Sequence, residues 1–163
     1  MVSEPRWESR YRLFESGTSI IPDPFLELEQ EVGHKPQGLW FTPSPTDWTE
    51  WCEENMPHWL EGKTLGWLDV DLSRMLVISE PGALLEFTAR FLDSEMEKRM
   101  RLLGVRSIVS FNIDWRAVAE QYDGIEIAPY QWGLRLDERC HWYYTWDVAS
   151  GCVWRRRSVR ESR

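Results

Sequence analysis

The chain has 163 residues, of which 42% are hydrophobic and 28% charged, with 11 tryptophans and a net charge of -8. A chain of that length buries a core without disulfide or metal staples, and its composition excludes wholesale disorder. The last nine residues, RRRSVRESR, carry +4 and leave -12 on residues 1–154, so the body is acidic and argues against a broad phosphate-binding surface.

In chain order, residues 1–9 are polar and expected to be loose, and Tyr11 to Glu15 begins the first strand. Ser16-Gly17-Thr18-Ser19 ends it as a turn of small residues. Residues 20–31 carry Pro22 and Pro24, then a short helical pattern in Phe25, Leu26, Leu28 and Val32. Lys35-Pro36-Gln37-Gly38 reads as a turn with Lys35 on the surface, and Leu39 to Thr42 as a strand. A helix follows, with Ser44 as N-cap, Pro45 at its first position and Asp47 completing a capping box; Trp48, Trp51 and Cys52 form its stripe, and Pro57 ends it.

Thr64 to Leu72 and Met75 to Ser79 read as strands, the second apolar enough to be covered on both faces. One long helix is expected from Pro81 to Gly104, with Glu95–Arg99 and Glu97–Arg101 as i,i+4 pairs and Gly104 as its cap. Residues 105–111 add a strand. Trp115, Val118, Ala119 and Tyr122 then recur on one helical face. Asp123-Gly124 breaks that helix, and in Ile125-Glu126-Ile127 the period of two sends both isoleucines to one side and Glu126 to the other. The aromatic run His141 to Val148 favours a strand, and Cys152 to Trp154 is a last short one.

The sum is an α+β pattern without a βαβ rhythm. One globular domain over residues 1–154 and a flexible basic tail over 155–163 are expected. Cys52, Cys140 and Cys152 lack paired spacing, and His34, His58 and His141 lie far apart, so no metal site is expected. No apolar run long enough to span a bilayer and no signal peptide are visible, which predicts a cytoplasmic protein with no membrane contact.

Three pieces stand in an informative order: Phe14-Glu15-Ser16-Gly17-Thr18-Ser19, then Gly38-Leu39-Trp40-Phe41-Thr42-Pro43-Ser44, then Tyr122-Asp123-Gly124-Ile125-Glu126-Ile127. Together they resemble the mono-ADP-ribosyltransferase family, with a basic or His residue on a first strand, a Ser, Thr or Tyr on a second and a Glu on a later one. Ser16 departs from the family by standing where His or Arg commonly precedes Gly-Thr. The resemblance implies an ADP-ribosyltransferase-like fold, two small packed sheets around a cleft with two to three flanking helices. It also implies NAD as substrate.

In that chemistry positive charge develops on the ribose as its glycosidic bond breaks, and a fixed carboxylate stabilises it. By resemblance the carboxylate is Glu126, Arg12 meets the pyrophosphate or ribose, and Thr42 and Ser44 orient Arg12 and Glu126. Ser16 and Gly17 contact the nicotinamide side, and Trp40 or Trp146 supplies the stacking surface. The implied activity is mono-ADP-ribosyl transfer to an acceptor, a protein ahead of nucleic acid. The alternatives are a non-catalytic inhibitor-like protein that binds a partner through a Trp-rich surface, and an NAD-consuming hydrolase. The tail's arginines keep nucleic acid open as a partner, and the oligomeric state is not legible.

Overall fold

The structure, a computed structural model, describes residues 4–105 and 112–162, with the side chains of Met96 and Glu97 outside the description. Nine strands and four α-helices are drawn among these residues. The strands are β1 (Trp7–Glu15), β2 (Val32–Gly33), β3 (Leu39–Phe41), β4 (Lys63–Asp71), β5 (Met75–Ile78), β6 (Ile113–Asp114), β7 (Gly124–Ile127), β8 (Ser150–Val153) and β9 (Val159–Glu161). The helices are α1 (Asp47–Asn55), α2 (Pro81–Phe91), α3 (Ser94–Leu102) and α4 (Trp115–Ala119). The fold is α+β, with sheets ordered β1-β4-β9, β3-β8-β7-β5 and β2-β6.

Strand periodicity sets the layers. Arg10 pairs with Leu68 and Glu8 with Val70, so these residues share one face of the three-stranded sheet. Phe41, Gly151, Glu126 and Val77 form one rung across the four-stranded sheet, and Leu39, Val153, Gly124 and Met75 form the rung two residues away. Leu39, Phe41, Leu68, Val70, Met75, Val153 and Val159 pack into one buried cluster, which places the core of the two sheets between these faces. The opposite face of the four-stranded sheet carries Trp40, Cys152, Ile125 and Leu76 and packs on α2, α4 and the aromatic segment after β7.

Tryptophan fills that second cluster. Trp115 and Trp142 meet edge to face at 5.7 Å, and both are fully buried. Their indole N–H groups donate to the Gly33 carbonyl and to the Thr88 hydroxyl, so the large rings are buried without orphaned donors. Trp154 does the same through the Tyr122 carbonyl.

Several expectations need correction. The long helix is two helices: α2 buries Leu84, Phe87, Thr88 and Phe91 at helical spacing, then stops where Leu92 bridges Ile113. Asp93 caps α3 by accepting from the Glu95 N–H, and Gly104 ends it at φ 76°, a conformation glycine adopts without steric cost. The helical pattern over Phe25 to Val32 forms no helix: residues 25–31 are irregular and Val32 opens β2. The aromatic run is a pair of 3-10 turns over Glu138–Thr145, kinked at Cys140, because Trp142, Tyr143 and Trp146 all pack into one core, which a strand would divide between two faces. Polar residues 7–9 belong to β1.

The C-terminal segment adds a strand to the body: Val159–Glu161 pairs with β4, and Ser158 is fully buried. The expected strand over 105–111 and the Glu97–Arg101 pair fall on residues or side chains outside the description, apart from Val105.

Candidate functional site

The two larger sheets join at one corner. Tyr11 N–H donates to the Thr42 carbonyl at 2.9 Å and Thr42 N–H to the Tyr11 carbonyl at 2.8 Å, an antiparallel bridge between β1 and the end of β3. An open cleft of about 320 Å³ lies at this junction. Tyr11, Arg12 and Leu13 enter it from β1, Trp40 and Phe41 from β3, and Trp48 from α1. Lys35, Trp59, Leu65, Trp146, Asp147 and Ser150 complete the lining.

The walls are aromatic and preset. Trp40 and Trp146 meet at 4.9 Å between ring centres, and Trp48 stacks on Trp51 at 5.1 Å while meeting Trp59 edge to face. The charges are few and unevenly answered. Arg12 donates from Nε to the Ile20 carbonyl and from Nη1 to the Trp40 carbonyl, at 3.1 and 2.9 Å, so its guanidinium is held by backbone dipoles. Burial lowers its pKa. Lys35 keeps an exposed face, yet its ammonium stands 5.6 Å over the Trp40 ring and protein packed around it lowers its pKa, which Asp147 only partly offsets. Asp147 lies 3.5 Å from Arg135.

Of the residues singled out in the sequence, Arg12, Thr42, Trp40 and Trp146 meet in this cleft. Glu126 does not line it. Trp40 belongs to the rung with Cys152 and Ile125, whereas Glu126 belongs to the neighbouring rung with Gly151 and Phe41, so Trp40 and Glu126 point to opposite faces of one sheet. The carboxylate of Glu126 is buried between the sheets and forked by Arg10, Nε to Oε2 at 2.5 Å and Nη2 to Oε1 at 2.9 Å. Its cationic partner is thus Arg10 and not Arg12. Burial lowers the pKa of Arg10, but the bonds and charge of Glu126 outweigh it and leave the guanidinium raised.

Three others lie outside the cleft's lining. Ser16 Oγ is 2.8 Å from Thr64 Oγ1, and Gly17, at φ 83°, makes the tight turn after β1. A second cavity, lined by Arg12, Thr18, Ser19 and Lys63 among others, adjoins that turn. The entry to α1 keeps half of the expected capping box, the bond from the Ser44 N–H to Asp47, but Ser44 is not the cap residue. The helix starts at Asp47, whose carboxylate accepts the Ser44 N–H at 3.1 Å, while Ser44 Oγ accepts from Thr46 N–H; Thr46 holds the cap position without a side-chain cap. Thr42 Oγ1 donates to the Ser44 carbonyl, which fixes the turn between β3 and α1.

Tyr11, Lys35, Trp48, Trp59 and Asp147 were not singled out as site residues. Asp147 had a signal in the sequence, a lone carboxylate following an aromatic run; Lys35 had none, since only the fold brings its turn over Trp40. Among the described residues no group of three or more His, Cys, Asp or Glu can hold a metal ion. Nor is any helix there long and apolar enough to cross a membrane. The chain matches no family model, no curated protein and no solved structure.

Proposed function

We propose that the cleft binds NAD and that the chain transfers ADP-ribose from it to an acceptor protein. The observation that carries this reading is the junction of β1 and β3, which gathers Arg12, Trp40, Thr42 and Trp146 from distant parts of the chain around one aromatic cavity that also holds a carboxylate. A planar nicotinamide ring suits half-buried Trp40, against which buried Trp146 packs, and a pyrophosphate suits a guanidinium held only by carbonyls. Asp147 replaces Glu126 as the carboxylate that faces the developing ribose cation.

A protein acceptor is favoured over nucleic acid because three of the C-terminal arginines are engaged. Arg155 pairs with Glu27, Arg157 with Asp123 and Arg160 with Asp69. A phosphate backbone would have to displace those partners. The second reading, a binding module without catalysis, draws support from exposed Trp67 and Trp132, at 61% and 71%.

The test is label transfer from radiolabelled NAD into a lysate, with NAD affinity measured by calorimetry on the same preparations. Asp147→Asn is expected to lower transfer by about 10²-fold or more, the scale of lost electrostatic stabilisation, with NAD still bound. Trp40→Ala is expected to weaken NAD binding. Absence of NAD binding to the folded wild type would sink the reading and leave the binding module. NAD loss without labelled acceptor would replace transfer by hydrolysis.

A further inference from the structure

We propose that Lys35 is an imine-forming amine, condensing with an aldehyde carried on a planar ring that bears an anionic substituent. This goes beyond the NAD reading and does not depend on it. The chain has three lysines, Lys35, Lys63 and Lys98. Lys63 Nζ lies 2.5 Å from a Glu15 carboxylate oxygen and Lys98 Nζ 2.8 Å from one of Glu95, so both are ion-paired. Among the described residues Lys35 has no ion pair, and it is the lysine that lines the aromatic cleft. A lysine in partly desolvated, apolar surroundings gives up its proton more readily, and the neutral amine is the nucleophile.

The rest of the cleft fits such a ligand. Half-buried Trp40, with buried Trp146 packed edge-on against it, offers a surface for a planar ring, and the Arg12 guanidinium, bound to two backbone carbonyls, is free of carboxylate ion pairs among the described residues and suits an anionic substituent. Asp147 shares the cavity. In the reaction the amine nitrogen bonds to the aldehyde carbon, and the carbonyl oxygen takes up the two hydrogens that nitrogen loses and leaves as water. The carbon–nitrogen double bond remains, and no oxidant or reductant is consumed. The relay of a proton from nitrogen to the departing hydroxyl is assigned to Asp147 as the carboxylate lining the same cavity.

Pyridoxal 5'-phosphate is the probe, at equimolar protein, with borohydride reduction to fix the imine and peptide mapping of all three lysines. The expected result is saturable labelling of Lys35 over Lys63 and Lys98 by about tenfold or more, the factor that ~1.4 kcal/mol of site-specific binding gives. Lys35→Arg, which keeps the charge, should abolish that label. Arg12→Gln and pyridine-4-carboxaldehyde, which lacks the phosphate, should each weaken it. Equal labelling of the three lysines, or labelling that fails to saturate, would overturn the proposal. So would a Lys35 label in a folded protein that is indifferent to Arg12.

Discussion

At Glu126 a carboxylate is taken out of water, and Arg10 answers its charge with a two-pronged hydrogen bond across the space between the sheets. Such a pair stabilises little in net terms, but removing one partner leaves the other charge buried alone. Glu126→Gln is therefore expected to cost about 3–5 kcal/mol in urea unfolding, and the double variant Arg10→Met, Glu126→Met to recover most of that loss. A Glu126→Gln protein as stable as the wild type would show that the pair is not formed. The strand and the side preference of Glu126 were legible in Ile-Glu-Ile, because a period of two is local. Its function was not, because the guanidinium that claims it lies 116 positions away, and a sequence pattern does not tell an inward face lined by a cation from a cleft.

Elements were legible where one face is apolar and the spacing is clean, as in α2, β4 and β7. They were not where tertiary contacts override propensity: the aromatic stretch Glu138–Thr145 has strand-forming residues, but Trp142 and Tyr143 are each needed in the same core, which a flat strand would send to opposite sides. Glycine marks a subtler constraint at the meeting of β3, β8 and β7. A Cβ on Gly151 would lie 2.4 Å from the Phe41 ring and 2.8 Å from the Ile125 carbonyl oxygen. The ring can shift, but the carbonyl belongs to the paired strand. Gly151→Ala is expected to cost about 1–3 kcal/mol as overpacking. At this chain length that corresponds to a fall in Tm of about 2–4 °C per kcal/mol, readable by calorimetry. An unchanged Tm would mean the sheet opens locally at no cost.

The whole molecule depends on its last residues in a way their charge conceals. Five arginines in nine residues read as a solvated tail, yet the segment crosses back over the body to add β9 to the edge of β4. Asp123, at the end of α4's loop, receives both Arg157 prongs at 2.7 Å and the Ser158 hydroxyl at 2.6 Å, and Val159 enters the core between the sheets. Truncation after Trp154 would strip Asp123 of these partners and open the core, a loss on the order of 5 kcal/mol that would consume much of the 5–15 kcal/mol typical of a domain. A truncated chain that melts as cooperatively and as late as the full one would refute this role.

Acid should loosen the same contact. Burial raises the Asp123 pKa, but the Arg157 and Ser158 hydrogen bonds outweigh it and hold the carboxyl below its usual range. A depressed carboxyl contributes stability that is present above its unfolded pKa, about 3.9, and is lost as pH falls through the lower folded value. In urea titrations at pH 7 and at about pH 3, Asp123→Asn should therefore be the weaker protein at pH 7 and should lose less on acidification than the wild type. Parallel losses in the two proteins would place the acid sensitivity in other depressed carboxyls, such as Asp69 and Asp71, which bind Arg160 and Ser73.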